Sequence, residues 1–227
     1  MKRYLIILLF IPVCLNAQVM GAWWMNGDAT DRIGLNNGTT IGVTYASGKL
    51  NQGGVFGGTS TTAKFILTTN AFNFTTAYSV SALIKTTTTD KTIFCNYNRI
   101  VSVGLYGYNT AVITHKAWMR QILSSSSSVS ISGSTSIDDG KWHYVVFSWD
   151  GSYLYVDVDG KSDATPVACA SYRYAASMYP RIGYDTSVYE GAVDYFNGMI
   201  DEVMLFQPNL TPVQIKNMNA YYKGIYQ

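Results

Sequence analysis

The sequence predicts an all-β fold, a two-sheet antiparallel β-sandwich that ends in one short C-terminal helix. Residues 139–161, DGKWHYVVFSWDGSYLYVDVDGK, place two aromatic and β-branched segments between Asp-Gly turns. Most other segments are short, rich in β-branched and aromatic residues, and separated by Gly, Asn, Asp and Ser. Helix signals are confined to residues 211–222. Together these observations favour antiparallel sheets packed face to face.

The two strands within residues 139–161 are bounded by their turns. Trp142–Trp149 forms one strand, and Tyr153–Val158 returns antiparallel to it. Glycine accepts the positive φ that such turns require, and the short aspartate carboxylate bonds its own backbone. Trp142–Trp149 is apolar on both faces, which indicates a central strand with one side in the core and the other under a loop or in a groove.

A short helix is predicted over residues 211–222. Thr211 is placed to cap it, and Pro212 suits its first position. Its apolar stripe is partial and consists of Val213, Ile215 and Met218. We expect this helix to pack as a lid on the sandwich.

Four segments follow, in order, the pattern of one known family. Trp24, Asp31 and GKLNQGGVFGG at 48–58 resemble an opening strand and glycine-rich hairpin, and residues 72–85 resemble the next strand, with Leu83 where tryptophan is usual. Residues 139–161 resemble a WH strand and its YVDG hairpin. FNGMIDEVMLF, Leu210 and PVQI resemble a closing strand and a final helical turn. These segments resemble LamG-like (laminin G-like) domains of the concanavalin A-like lectin/glucanase superfamily, which implies a jelly roll.

The N-terminus predicts a secretory signal peptide over residues 1–17. Lys2 and Arg3 precede an apolar run at residues 4–13, and Ala17 offers a cleavage edge. The apolar run is about half the roughly 20 residues that span a bilayer. A lipoprotein anchored at Cys14 and an uncleaved N-terminal helix remain the alternatives. The chain is therefore expected to be secreted, periplasmic or displayed on a cell surface, with no membrane insertion after cleavage.

Cleavage would leave one LamG-like domain, residues 18–227, with no net charge. The whole chain carries 16 basic and 14 acidic residues, and the leader removes two of the basic ones. A neutral chain without basic clusters lacks the electrostatic footprint that nucleic acid or anionic lipid requires. We therefore expect neither as a partner.

Two cysteines remain after cleavage, Cys95 and Cys169. An exported chain meets oxidising conditions, in which such a pair can bond. The sequence leaves a disulfide and two buried free thiols as alternatives.

The residues of a catalytic site are not visible in the sequence. Glu190 and Glu202 are the only glutamates, so the alternating carboxylates of a retaining glycosidase strand are missing. Asp157 and Asp159 alternate, but Asp159 is interpreted as a turn residue. No GxSxG elbow accompanies His115 or His143, and the family resemblance makes His143 a packing residue. We expect no enzymatic activity.

Asp201 is the carboxylate that most needs a partner. Alternation places it on the face shared by Val203 and Leu205, where a buried carboxylate must be satisfied. Backbone N–H groups or a lysine could form the hydrogen bonds or ion pair that this carboxylate requires. The alternative is a structural Ca²⁺ that joins Asp201 to Asp28 or Asp31, as the resemblance to calcium-binding relatives implies.

Aromatic residues indicate where a ligand could bind. The chain has 18 tyrosines and five tryptophans, but only 13% of its residues are charged. Sugars present flat C–H faces that stack on such rings, and polar loops supply hydrogen bonds to their hydroxyls. The candidates are Tyr97, Tyr106, Tyr108, Trp118, Tyr172, Tyr174, Tyr179, Tyr184 and Tyr189.

Three functional classes are compatible with these features. The first, which the family resemblance favours, is a secreted or surface-exposed non-catalytic recognition module for adhesion or for binding a glycan or a cell-surface protein. The second is an assembly subunit of a filament, surface layer or virion, which would self-associate through apolar faces. The third is a glycoside hydrolase whose aspartates converge from separate strands.

Overall fold

The computed structural model describes residues 17–34, 36–57, 64–69, 76–88, 92–96, 101–105, 115–123, 127–171, 179–186 and 193–224. Residues 1–16 of the predicted signal peptide therefore lie outside the described chain. In chain order the strands are β1 (Gln18–Trp23), β2 (Gly38–Ile41), β3 (Thr44–Ser47), β4 (Gln52–Phe56), β5 (Phe65–Thr68), β6 (Tyr78–Lys85), β7 (Thr92–Cys95), β8 (Val101–Gly104), β9 (Lys116–Ile122), β10 (Ser128–Ser136), β11 (Trp142–Trp149), β12 (Tyr153–Val158), β13 (Lys161–Ser162), β14 (Val167–Ala168), β15 (Arg181–Ile182), β16 (Tyr184–Thr186), β17 (Val193–Tyr195) and β18 (Gly198–Gln207). One helix, α1 (Pro212–Gly224), follows them.

The strands form two large antiparallel sheets and one small one. Sheet A has nine described strands in the order β13-β12-β11-β6-β18-β4-β3, with β1 beside β18 and β14 beside β12. Sheet B has seven described strands in the order β10-β9-β8-β7-β15-β5-β2, and β16 and β17 pair as sheet C. The predicted two-sheet antiparallel sandwich with a short C-terminal helix is confirmed.

The main core lies between sheets A and B. In sheet B one lateral row of paired residues supplies much of it, because directly paired residues in antiparallel strands share a face. That row runs through Ile66, Ile182, Phe94, Val103, Met119 and Ile131, all of them buried. From sheet A it meets Val80, Ala82, Ile84, Val145, Phe147, Val203 and Leu205.

The hairpin of β11 and β12 has the bounds that the sequence predicts, Trp142–Trp149 and Tyr153–Val158. β11 and β12 pair in register from Val145 with Val158 to Trp149 with Leu154. Asp159 (φ 52°) and Gly160 (φ 80°) both take the left-handed conformation that a tight two-residue hairpin turn needs. β11 also pairs with β6 along its full length, so it is the central strand that its apolar sequence indicates.

Helix α1 covers the outer face of sheet A and builds a second hydrophobic cluster there. The cap is reciprocal, because Gln214 N donates to Thr211 Oγ1 and Thr211 N donates to Gln214 Oε1. Ile215 and Tyr222 are buried against sheet A, whereas Val213 is exposed. The predicted stripe was therefore wrong at Val213, since the buried face follows the spacing 215, 219 and 222.

A β-bulge in β18 reverses the predicted orientation of Asp201. Glu202 has φ 51°, and the pairing of β18 with β6 shifts between Asp201 and Met204. The extra residue breaks strict alternation, so Val203 faces the main core while Asp201 pairs with Leu83, a member of the cluster under α1. Asp201 thus lies on the opposite face of sheet A from the one that alternation predicts.

No helix in the described part of the chain is long and apolar enough to cross a bilayer.

Candidate functional site

The outer face of sheet B carries a second lateral row of paired residues, one position along each strand from the core row. It runs through Thr39, Leu67, Arg181 and Cys95, crosses β8, and continues through Arg120 to Ser130. Because side chains alternate along a strand, this row faces away from the main core. Two arginines therefore lie on the outer face of one sheet.

Strand β9 places Trp118 on this outer face. Ala117 and Met119 belong to the main core, and Trp118 is outside both hydrophobic clusters of the described residues. Its cross-strand partners are Gly104 on β8 and Ser132 on β10, so small residues flank the indole on both sides. Trp118 is only 9% exposed, so most of the residue is covered and only a small part of it can form the floor of the surface.

A groove runs along β10, the edge strand of sheet B. It is open to solvent, has a volume of about 720 Å³ and lies between β10 and residues 162–167; its lining includes the hydroxyl-bearing residues Ser130, Ser132, Ser134, Ser162 and Thr165. Asp163 anchors it, because both carboxylate oxygens accept hydrogen bonds from the backbone N–H and hydroxyl groups of Ser134 and Thr135.

The groove adjoins the outer face of β9. Ser130 is the paired neighbour of Arg120, and Ser132 is the paired neighbour of Trp118. Hydroxyls, a guanidinium and an indole are thereby brought to one edge of sheet B. This combination suits a ligand that has both polar groups and apolar faces.

Tyr184 anchors sheet C to sheet B. Its ring stacks on Phe65 with centroids 4.4 Å apart, and the guanidinium of Arg181 lies 5.7 Å from its centroid. Burial, and then the neighbouring Tyr195, raise the pKa of the Tyr184 hydroxyl. These contacts indicate a packing role for Tyr184 at the margin of the face.

The remaining aromatic candidates are placed in part. Tyr179 is exposed and precedes Pro180, whose carbonyl accepts hydrogen bonds from the backbone N–H and hydroxyl of Thr68. Six candidates lie outside the described residues: Tyr97, Tyr106, Tyr108, Tyr172, Tyr174 and Tyr189. The structure places Trp118 on the strand next to the groove, as the paired neighbour of Ser132, and neither Tyr179 nor Tyr184 lines the groove. Sequence reasoning missed Arg120, although the alternation of KAWMRQI carries the signal.

The three proposed calcium ligands are occupied by other contacts. Asp201 Oδ2 accepts hydrogen bonds from the backbone N–H groups of Lys49 and Leu50, both at 3.0 Å. Asp31 accepts from the backbone N–H groups of Ala22, Ile33 and Asn36, and Asp28 pairs with Arg32. Within the described residues no group of three or more Asp, Glu, His or Cys side chains is placed to hold a metal ion. These residues do not fit a shared calcium site. Asp201 instead accepts hydrogen bonds from backbone N–H groups, which was the alternative that the sequence predicted.

Asp201 and Glu202 are nevertheless an unusual pair. They are 0% and 2% exposed, and Asp201 Oδ1 and Glu202 Oε2 accept no hydrogen bond from the described residues. Burial raises the pKa of Asp201 to about 7, against the opposing N–H groups of Leu50 and Lys49. Burial also raises the pKa of Glu202, and the adjacent Asp201 adds to the effect. Both carboxyls are enclosed at the outer face of sheet A, away from the groove.

His143 links the two Asp-Gly turns that flank β11 and β12. Its Nδ1 lies 3.0 Å from Asp159 Oδ2, and its Nε2 lies 3.1 Å from Asp139 Oδ1. The hydrogen bond to Asp159 raises the pKa of His143, burial opposes the shift, and Asp139 adds to it. His143 is buried, as expected of a packing residue, and its ring also contacts two carboxylates.

Cys95 and Cys169 are free, buried thiols in this structure. Cys95 Sγ donates to the Tyr184 carbonyl, and Cys169 Sγ accepts from Gln121 Nε2 on β9 at 3.3 Å. Cys95 lies on β7, and the residue that contacts Cys169, Gln121, lies on β9. β8 separates these two strands, so they are about two strand spacings apart. The disulfide alternative is therefore not realised.

Comparison with solved structures shows the same fold in proteins of other kinds. Domain 4 of AbnA, a GH43 extracellular arabinanase from Geobacillus stearothermophilus, in complex with arabinotriose, is 22% identical with a TM-score of 0.69, over 90% of this chain and 99% of that one. The binding domain of botulinum neurotoxin DC in complex with rat synaptotagmin II is 13% identical with a TM-score of 0.68, over 90% and 51%. A structure from work on botulinum neurotoxin type C, whose cell entry depends on interaction with two ganglioside molecules, is 12% identical with a TM-score of 0.68. The match covers 94% of this chain and 53% of that one. This chain spans about half the length of both toxin chains.

Comparison at the level of sequence shows the family. No curated protein sequence matches the chain. A profile of the Laminin_G_3 family matches residues 56–216, from the end of β4 into α1. Because that match covers most of the chain and the two-sheet fold agrees with it, the chain belongs to the Laminin_G_3 family of the concanavalin A-like lectin/glucanases superfamily.

Proposed function

We propose that this chain is an exported, non-catalytic carbohydrate-binding module, and that glycans bind at the edge of sheet B along β9 and β10. The groove along β10 carries the proposal, because its serine hydroxyls stand beside Trp118 and Arg120. Hydroxyls and a guanidinium hydrogen-bond sugar hydroxyls, and the indole floor supplies apolar contact.

Similar structures support a glycan as the ligand class. AbnA domain 4 was solved with arabinotriose, and a botulinum neurotoxin type C structure is described with gangliosides. A cell-surface protein is the alternative partner, because another similar structure was solved with synaptotagmin II.

The placement of the carboxylates supports a non-catalytic role. A glycosidase needs two carboxyl groups that flank an accessible glycosidic bond. Asp201 and Glu202 have raised pKa values but are enclosed in the protein. Asp157, whose pKa is raised to about 6 by burial and then by Asp163, is also buried. None of the three is open to a polysaccharide.

A glycan array probed with residues 18–227, in calcium and in chelator, tests the function. The site is tested with Ser132→Tyr, which places a bulky ring in the groove at an exposed position. Ser47→Tyr is the matched control, because Ser47 is an exposed serine on β3, the edge strand of sheet A. We expect Ser132→Tyr to abolish binding and Ser47→Tyr to preserve it. Equal binding by both variants would remove the groove as the site.

Self-assembly through β10 is the second candidate. β10 is a nine-residue edge strand without a charged side chain, and uncharged edges are prone to pair with other strands. Sedimentation over a range of concentrations tests it. Mass that rises with concentration, together with no binding on the array, would replace the glycan proposal with assembly.

Export is proposed from residues 1–17 alone. Expression in a secreting host followed by N-terminal sequencing tests it, and we expect Gln18 as the first residue. A lipid-modified product that begins at Cys14 would favour the lipoprotein alternative.

A further inference from the structure

The edge strand β10 carries backbone groups that point toward the groove. Leu123 N donates to the Ser127 carbonyl at 2.9 Å, so these two residues form a hydrogen-bonded pair at the end of the antiparallel ladder between β9 and β10. Such pairs recur at every second residue, so the backbones of Val129 and Ile131 bond to β9. The N–H and C=O groups of the alternate residues point away from β9, to the open edge of sheet B; these residues are Ser128, Ser130 and Ser132.

These outward groups are available to a ligand. Among the described residues, no hydrogen bond joins the backbone of Ser128, Ser130 or Ser132 to the segment across the groove, residues 162–167. All three serines are exposed, and Ser130 and Ser132 line the groove. Each presents an N–H donor, a C=O acceptor and a hydroxyl. We call the outward backbone of these three residues the free edge of β10, and it forms a row of donors and acceptors.

Asp163 ends the free edge after Ser132. Its Oδ2 accepts hydrogen bonds from the backbone N–H groups of Ser134 at 2.9 Å and Thr135 at 3.1 Å, in the region where the pairing of β10 with β9 shifts register. Gly133 allows this approach, because a Cβ atom there would collide with the same oxygen. A β-bulge makes an edge irregular and discourages a further strand from pairing with it. The free edge is therefore short, and it suits a few sugar units better than an added β-strand.

The spacing of the free edge favours a chain of sugars over a single sugar. Alternate residues of a strand lie about 7 Å apart, so Ser128 and Ser132 are about 14 Å apart. Sugar hydroxyls both donate and accept hydrogen bonds, which matches N–H and C=O groups that stand side by side. One sugar ring reaches one of these positions, whereas successive rings of an extended chain reach two or three.

We propose that the groove binds a linear glycan along the free edge of β10, with the backbone N–H and C=O groups of Ser130 and Ser132 as its central contacts. This ligand class rests on the proposed function, in which the groove binds carbohydrate. The groove is open to solvent, so a chain can bind through an internal stretch and continue beyond it. The serine hydroxyls add side-chain contacts, and Asp163 is a positioning residue that fixes where the free edge ends.

The first test compares sugars that differ only in length. Titration calorimetry of the chain uses arabinose and arabinotriose, xylose and xylotriose, and glucose and cellotriose. We expect at least one trisaccharide to bind about 10-fold or more tightly than its monosaccharide, because the longer chain reaches more of the free edge.

Proline at position 130 separates backbone recognition from side-chain recognition. Ser130→Ala removes the hydroxyl alone, whereas Ser130→Pro also removes the outward N–H, which an edge strand tolerates because that N–H does not bond to β9. We expect Ser130→Pro to bind the trisaccharide about 3- to 10-fold more weakly than Ser130→Ala. Thermal unfolding of each variant shows whether it is folded.

Ser47→Pro is the matched control on the edge of sheet A. Gly48 N donates to the Asn51 carbonyl at the end of the ladder between β3 and β4, so the N–H of Ser47 also points outward. This variant should bind the trisaccharide as the parent chain does.

Amide hydrogen exchange of the parent chain, followed by NMR, tests the same contacts without a variant. In the absence of glycan, the amides of Ser130 and Ser132 should exchange faster than those of Val129 and Ile131, which bond to β9. Saturating trisaccharide should slow exchange at Ser130 and Ser132 by about 10-fold or more. If Ser130→Pro does not fold, this measurement alone decides.

The outcomes separate the two proposals. Equal binding by Ser130→Pro and Ser130→Ala, with no slowing of exchange at Ser130 and Ser132, would overturn recognition by the free edge while carbohydrate binding stands. The same conclusion would follow if no trisaccharide bound more tightly than its monosaccharide. Self-association of the parent chain that Ser130→Pro abolishes would show that a second copy occupies the free edge instead. No binding of any of these sugars, with a negative glycan array, would overturn both proposals.

Discussion

His143 holds the two Asp-Gly turns together, and its replacement should make stability depend on pH in a defined way. His143→Gln removes a side chain that is 10% exposed and contacts Asp159 and Asp139. A hydrogen bond to a charged group contributes about 1.5–3 kcal/mol when it is shielded from water. Because Asp159 is 34% exposed, solvent screening reduces this contribution to about 1 kcal/mol. We therefore expect the variant to melt about 2–4 °C lower near pH 5.5.

The pKa directions set the sign of the pH dependence. The pKa of His143 is raised above its ordinary value of 6.5, so its contribution is complete below pH 6.5 and is lost as pH rises through the raised value. Burial would raise the pKa of Asp159, but hydrogen bonds from His143 and from Tyr144 N outweigh it and hold that pKa below 3.8. The contribution of Asp159 is therefore present above pH 3.8 and lost as pH falls further. The contact is complete between about pH 4 and 6.5.

Urea denaturation of the parent chain and of His143→Gln at pH 5.5 and pH 9 measures this effect. The difference in the free energy of unfolding should be about 1 kcal/mol larger at pH 5.5 than at pH 9, because neutral His143 keeps only one N–H donor for the two carboxylates. Taking the difference removes the contribution of other groups that titrate in both proteins, including Asp201. Lys141 stays charged at both pH values, because its hydrogen bond to Asp139 raises its pKa. His115→Gln is the control, because His115 is 54% exposed and should contribute less. A difference for His143→Gln that is equal at both pH values would refute the assigned role.

Four further outcomes are expected. Asp201→Asn should gain stability relative to the parent as pH rises from 5 to 9, by about 3 kcal/mol, since ionisation of a buried carboxyl whose pKa is about 7 opposes folding; a flat difference in urea denaturation would contradict this. Thr211→Ala should lower the free energy of unfolding by about 1 kcal/mol through loss of the helix cap, while Thr211→Ser should keep most of it. A chelator should leave the melting temperature unchanged, and a fall would restore calcium as a ligand. Cys95 and Cys169 should react with a thiol reagent only after unfolding, and reductant should not change the melting temperature.

The hairpin of β11 and β12 could be predicted to the residue because its determinants are local. Asp-Gly turns end each strand, and aromatic and β-branched residues fill the segments between them. The helix cap at Thr211 was predicted for the same reason. In both places the residues that define the structure are neighbours in sequence.

The orientation of Asp201 could not be predicted, because its partners are distant. Its backbone donors, Lys49 and Leu50, lie about 150 residues earlier in the chain. The bulge at Glu202 inserts one residue, and a one-residue shift moves a side chain to the other face of a sheet. Alternation in the sequence cannot reveal such an insertion.

The candidate site also combines local features, which the sequence reveals, with contacts between distant segments, which it does not. The pattern KAWMRQI already separates Lys116, Trp118 and Arg120 from Ala117 and Met119, but either set could have faced the core. Only the packing of sheet A against the second set places Trp118 and Arg120 outside. The neighbouring serines come from the next strand, and the groove forms only when residues 162–167 fold beside β10.

Residue order alone therefore determined the fold class, the Asp-Gly turns and the bounds of β11 and β12, because these follow from conformational preferences and hydrophobic periodicity over short distances, and four segments in order were enough to indicate the family. The tertiary structure decided which face of each sheet meets solvent, which carboxylates are buried, and which side chains share the groove. Those properties depend on contacts between segments far apart in the chain, and burial acts on each side chain only after the two sheets have packed together.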